Sequence, residues 1–224
     1  MKSSYYKYFA ALLLFGFNGI VASNINLPSY EIVLLRLLLG SLFLITVFTV
    51  SRQRFTFYRN KHTCLYLFIS ASAMGASWML LYEAYQQVGI SIASLAYYCG
   101  PVIVMILSPF LFRETLTWPK IAGFLTVLAG MCLVNLQALD EGKTIWGLFC
   151  GLMSAFMYAL MVTANKKAKP ESGLENSLLQ LVIGSFIVVA FVSMQKNFVL
   201  SLTTIDWIPV LLLGLLNTGI GCYL

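Results

Sequence analysis

The sequence predicts an all-α polytopic membrane protein, and three observations carry that prediction. Of 224 residues, 60% are hydrophobic and only 10% charged, whereas soluble domains carry roughly 25% charged residues. The apolar residues fall into runs of about 20, the length an α-helix needs to cross a bilayer. The charges collect between these runs instead of along them, so the helices lack the polar faces that a water-soluble fold requires.

Eight spans follow in order, at 5–23, 28–50, 63–85, 90–112, 118–136, 145–164, 177–194 and 207–224. The first follows Lys2 and includes Lys7, and Val21-Ala22-Ser23 at its end has the look of a signal-peptide cleavage site; because further spans follow at once, it reads as a retained helix. The second carries Glu31 and Arg36. The third holds the small-residue run Ser70-Ala71-Ser72-Ala73, and the sixth holds Gly147-x-x-x-Gly151; both let helices approach closely and read as scaffold. The fourth contains Gly100-Pro101, where proline removes a hydrogen bond and frees the Tyr97 carbonyl, so a break at mid-membrane is expected. The fifth carries Gly123 and Gly130, the seventh Gln180, and the eighth Asn217 and Gly219.

Lysine and arginine near span ends set orientation, because cytoplasmic connections retain them. One side of the predicted topology holds Lys2, Lys7, Arg52, Arg54, Arg59, Lys61, Arg113, Lys120, Lys166, Lys167 and Lys169. The other holds Lys143 and Lys196, and Arg36, inside a span, completes the 14. The bias alternates without interruption, which supports eight spans independently of hydropathy. It places the N-terminus in the cytoplasm, with Asp140, Glu141 and Asp206 outside, as expected of a multi-pass protein of the cell membrane.

The formal charge of +6 does not point to nucleic acid, because the basic residues sit at span ends and form no stripe among aromatics. The five cysteines, Cys64, Cys99, Cys132, Cys150 and Cys222, lie in apolar spans without CxxC spacing and read as packing residues. There is no GxxxxGK[ST] phosphate loop, HExxH or GxSxG motif, and the single histidine, His62, lies beside a basic connection. An enzyme is therefore not expected, nor is any metal or cofactor.

An internal repeat appears at an offset of 144. Leu34-Leu35-Arg36-Leu37 with Gly40-Ser41 aligns with Leu178-Leu179-Gln180-Leu181 and Gly184-Ser185, and Gly75 aligns with Gly219. Residues 1–137, with five spans, form the first copy; 143–224, with three, form an incomplete second. Five being odd, the copies insert with opposite orientation, a pattern typical of transporters. By the same offset the second copy ends near 137 + 144 = 281, so the chain is expected to be a fragment of a ten-helix protein.

Ionisable groups at membrane depth are functional candidates. Arg36 lies about 12 Å along its helix from Pro28, at 1.5 Å per residue, and its guanidinium needs a partner. Glu83 is the expected one, since Glu31 is five positions away on the same helix, off the favourable spacings. In the alternative structural reading Arg36 snorkels and Glu83 sits among headgroups. Trp78 and Tyr82, four apart, share a face, and with Asn18, Tyr97, Tyr98, Tyr158 and Asn217 they are the further candidates to line a cavity; each has a plain packing alternative. Tyr85 reads as part of an outer aromatic belt, and Arg113-Glu114 as an interfacial charge pair.

The stretch 94–134, with Gly100-Pro101, Arg113-Glu114-Thr115-Leu116-Thr117, Gly123 and Gly130, resembles the EamA-type drug/metabolite transporter superfamily. Pro28 with Glu31 and Arg36 resembles that family's second span, and Gly147 through Tyr158 the opening of its second unit. The resemblance implies ten helices in two inverted five-helix repeats, about eight of them seen here, around a central cavity. It also implies a secondary transporter, exporting small metabolites such as amino acids. The expected partners are the lipid bilayer, a small-molecule substrate and a second copy in a homodimer. A non-transporting assembly protein or truncated remnant is the alternative.

Overall fold

The computed structural model describes residues 2–113, 115, 117–135, 145–168, 172–194 and 207–223. Glu114, Asp140, Glu141, Lys143, Lys169, Lys196 and Asp206 lie outside the described residues, and with them the Arg113–Glu114 pair. The described chain is helical throughout its apolar runs: α1 (Lys2–Gly16), α2 (Asn18–Ser23), α3 (Ser29–Val50), α4 (Lys61–Tyr97), α5 (Cys99–Phe112), α6 (Trp118–Asn135), α7 (Ile145–Ala168) and α8 (Gly173–Ser193). The final apolar run opens as α9 (Trp207–Leu211), winds as a π-helix over Leu212–Ile220, and closes as α10 (Gly221–Tyr223). This is an all-α polytopic membrane protein. Large apolar side chains face outward, Phe110 at 82% and Phe186 at 70% exposure among them, as expected where lipid is the solvent.

Each predicted span falls on helix, and the differences at the ends have local causes. α7 runs on to Ala168, with Lys166 and Lys167 in its last turn complementing the negative end of the helix dipole. α8 begins early because the Ser172 side chain caps it, accepting from the Glu175 amide.

The third and fourth spans are continuous, Lys61–Phe112 covering 52 residues. That is about 78 Å of straight helix at 1.5 Å per residue, more than twice the ~30 Å hydrocarbon thickness. The chain reverses at Gly89, whose φ of 78° and ψ of 163° belong to a region reserved for glycine. At Tyr98, three residues before Pro101, the interruption is mild: φ −68°, ψ −6° keep the backbone right-handed.

Both arms of this hairpin pack on α7. Along the first arm, Thr63 Oγ1 donates to the Ala168 carbonyl at 3.0 Å and Ser70 Oγ to Met161 at 3.0 Å. Ser77 and Ser154 donate to each other's carbonyls at 2.9 and 2.7 Å. Each step advances seven residues on α4 and retreats seven on α7, so the two run antiparallel with one hydroxyl seam. The second arm runs the other way. A Cβ on Gly151 would lie 2.8 Å from Ala96 Cβ, one on Gly100 2.7 Å from the Tyr158 ring, and Lys166 stands 4.2 Å from the centre of the Phe112 ring. The scaffold reading of Ser70 and Gly151 holds, with Thr63, Ser77 and Ser154 as unforeseen members.

α3 is the most enclosed helix: Glu31 through Leu37 are buried in unbroken succession. It packs against α8, α4 and the π-segment. The closest approaches follow the offset seen in the sequence. A Cβ on Gly40 would meet Thr218 and Leu181, and one on Gly184 would meet Met74 and Leu37. With 184 − 40, 218 − 74 and 181 − 37 all equal to 144, the two crossings are reciprocal.

One end of the bundle gathers the basic connections. Glu175 at the start of α8 accepts from the amides of Thr56 and Phe57 at 2.6 and 2.9 Å and from Thr56 Oγ1 at 2.6 Å. Ser172 donates to Gln53 at 3.0 Å. At the other end, Gln86 Nε2 donates to the Leu27 carbonyl at 2.8 Å.

Gly89→Ala is expected to cost about 1–3 kcal/mol despite the open space around that residue, and Ser154→Ala about 0.6 kcal/mol. Thermal unfolding in detergent checks the order; a Gly89→Ala protein as stable as the parent removes the strained-turn account.

Candidate functional site

The first arm of α4 sets the site through helical geometry. Ser77 is committed to the seam with α7, and successive residues turn by about 100°, so Trp78, and four positions on Tyr82, face α3. There they meet Arg36, which is buried at 2% exposure. The guanidinium carbon lies 3.9 Å from the centre of the Trp78 ring and 5.4 Å from that of Tyr82. Nη1 donates to the Tyr82 hydroxyl at 2.7 Å, and Nε donates to Thr218 Oγ1 at 3.0 Å. Nη2 is buried and has no hydrogen-bond partner.

The expected Arg36–Glu83 pair is not formed. Glu83 follows Tyr82 by one residue, and that turn carries its carboxylate off the arginine face. It instead accepts from Ser29 Oγ at 2.7 Å and from Gln87 Nε2 at 3.1 Å. Nor does Arg36 snorkel: it is held among neutral groups by a stacked indole and two hydroxyls.

The remaining candidates fall into two further groups. Asn217 Nδ2 donates to Asn18 Oδ1 at 3.0 Å, tying α2 to the π-segment. Tyr97 packs edge-on against Tyr158 with ring centres 5.3 Å apart, and Tyr98 turns outward at 39% exposure. Tyr85 lies 5.4 Å from Tyr82, ring centre to ring centre, and packs against the core instead of standing apart in a belt.

A cleft of about 780 Å³ opens beside this cluster, lined by Ile25, Pro28, Ile32, Tyr82, Tyr85 and Gln86 among others. Tyr82 alone of the nine candidates lines it, so this cleft lies along α2, the start of α3 and the α4 turn. Thr218 is the residue that the sequence reading missed. It stands 182 positions from Arg36, and only the 144-residue offset, which pairs it with Met74, hinted at its place.

Chemically, the cluster offers a fixed positive charge, an aromatic face and donors left over. Arg36→Gln and Tyr82→Phe are expected to be non-additive in unfolding free energy, by about 0.5–3 kcal/mol, whereas Arg36→Gln and Glu83→Gln are expected to add. A double-mutant cycle that couples the second pair and leaves the first additive reverses the assignment.

Residues 3–136 match the EamA-like transporter family. Over 221 residues the chain is 26% identical to the "Uncharacterized transporter YxxF" of Bacillus subtilis (strain 168), covering 96% of this chain and 69% of that protein. A solved structure described only as "Crystal structure of protein" superposes with a TM-score of 0.77 at 19% identity, over 100% of this chain and 77% of the other. The fold is thus one already seen by experiment, and with its family match spanning more than half of its length this chain belongs to the EamA-like transporter family.

Proposed function

We propose that this protein is a secondary transporter of the cell membrane, exporting small metabolites, amino acids or related compounds, through a central cavity between two inverted repeats. The observation that carries the proposal is the pair of polar links, one buried and one half-buried, that join distant parts of the chain at membrane depth, Arg36 with Thr218 and Asn18 with Asn217. Polar and ionisable groups at that depth mark substrate pathways in membrane proteins. The reciprocal crossings at Gly40 and Gly184 support a pseudo-twofold relation between α3 with the first arm of α4 and α8 with the π-segment. Such a relation lets one half rock against the other around a fixed site.

The gathering of Arg52, Arg54, Lys61, Lys166 and Lys167 near one end of the bundle supports a cytoplasmic N-terminus, by the retention of basic connections. Arg54→Cys, on an exposed part of that end, is expected to escape an impermeant maleimide in intact cells, and Gln87→Cys, exposed at the opposite end, to react. The reverse pattern inverts the topology.

Transport is tested with the chain reconstituted in liposomes and presented with the twenty amino acids, their decarboxylated amines, sugars and nucleosides. Saturable entry of a subset above protein-free vesicles is expected. Entry no faster than in protein-free vesicles, for every solute, defeats the transport reading.

A further inference from the structure

We infer that Arg36 is an anchor for a carboxylate on the transported solute, a step that rests on the transport reading above. A guanidinium presents five N–H donors and no acceptor. Arg36 has partners at Nη1 and Nε, both neutral hydroxyls, and none at the buried Nη2. No carboxylate is among its hydrogen-bond partners in the described residues. A buried cation held this way is left short of compensation, because the Trp78 face and two hydroxyl dipoles replace only part of its hydration. The missing component is an anion.

The surroundings select which anion. Arg36 is the one buried lysine or arginine among the described residues, and the buried Glu31, five positions away on the same helix, is not among its hydrogen-bond partners, so a ligand there meets a single fixed positive charge. A monoanionic carboxylate fits that charge; a doubly charged phosphate leaves a net charge among Trp78, Tyr82, Tyr85 and Tyr97. Access is also on the page, since Tyr82 both lines the 780 Å³ cleft and accepts from Nη1. A carboxylate that takes the place of the Tyr82 hydroxyl meets Nη1 and Nη2 together, the paired geometry in which arginine holds carboxylates best. The aromatic walls then face the body of the solute.

The symmetry-related position argues for the same assignment. By the 144-residue offset Arg36 corresponds to Gln180, which is buried and hydrogen-bonds Asn176 at 3.3 Å. The α3–α8 crossing therefore accommodates a neutral amide at one of its two equivalent places, and the charge at the other is not required by the packing.

Two readouts separate this inference from the transport reading. With Trp118, Trp146 and Trp207 changed to Phe, Trp78 emission reports on the guanidinium stacked against it. In the full chain in nanodiscs, benzoate is expected to shift that emission and neutral benzamide to leave it unchanged. Arg36→Gln is expected to weaken the apparent benzoate affinity about tenfold to hundredfold, and Arg36→Lys to restore part of it. Equal responses to benzoate and benzamide, or none to either, overturn the inference, and this comparison needs no variant at Arg36. In the liposome assay, entry restricted to carboxylate-bearing members of each acid–amine pair supports it. Equal entry of the amines overturns it while transport stands. Benzoate binding at Arg36 without entry of any solute supports an anion site and removes the transport reading.

Discussion

Helices surrounded by hydrocarbon gain nothing by hiding apolar faces from water, so the distance at which backbones meet becomes the controlling variable. In this protein the variable is set along α4 and α7. Thr63, Ser70 and Ser77 hand their hydroxyl protons to carbonyls of the facing helix at seven-residue intervals, and Gly151 lets the returning arm close against the same partner. The seam fixes the azimuth of α4. Once Ser77 faces α7, Trp78 and Tyr82 have nowhere to face but α3, and the surroundings of Arg36 follow.

Two of the three buried charged residues among the described residues, Glu175 and Arg36, show how differently a charge is treated. Glu175 has both oxygens engaged, with three donors from residues 56 and 57 converging on its carboxylate, and it fastens a connection to the head of α8. Arg36 keeps one nitrogen unoccupied. The first arrangement stabilises a fixed joint, whereas the second leaves a buried donor without an acceptor.

Most of the fold was legible because it is written in local terms. Apolar length gives the spans. The Gly89 reversal was legible as a boundary between two spans, though not as a left-handed residue inside a continuous helical run. The candidate site was half legible. Trp78 and Tyr82 share a face by simple spacing, and they do meet Arg36. Glu83 was misassigned because opposite charge outweighed azimuth in the reading, while in the folded chain one residue of helical turn decides the matter. Asn18 and Asn217 were named as candidates but not as a pair, and Thr218 was hinted at only through the 144-residue offset, since periodicity carries no signal for which helices become neighbours across almost 200 positions.

The π-winding of Leu212–Ile220 has a consequence of its own. The Thr218 hydroxyl donates to the Leu213 carbonyl five residues back at 2.9 Å, in keeping with the i→i+5 bonding of such a helix. Rewinding the segment to i→i+4 would turn each later residue by about 100° for every residue absorbed, carrying Thr218 away from Arg36 and Asn217 away from Asn18. The pitch of one short segment and the grip of two polar side chains are therefore a single degree of freedom.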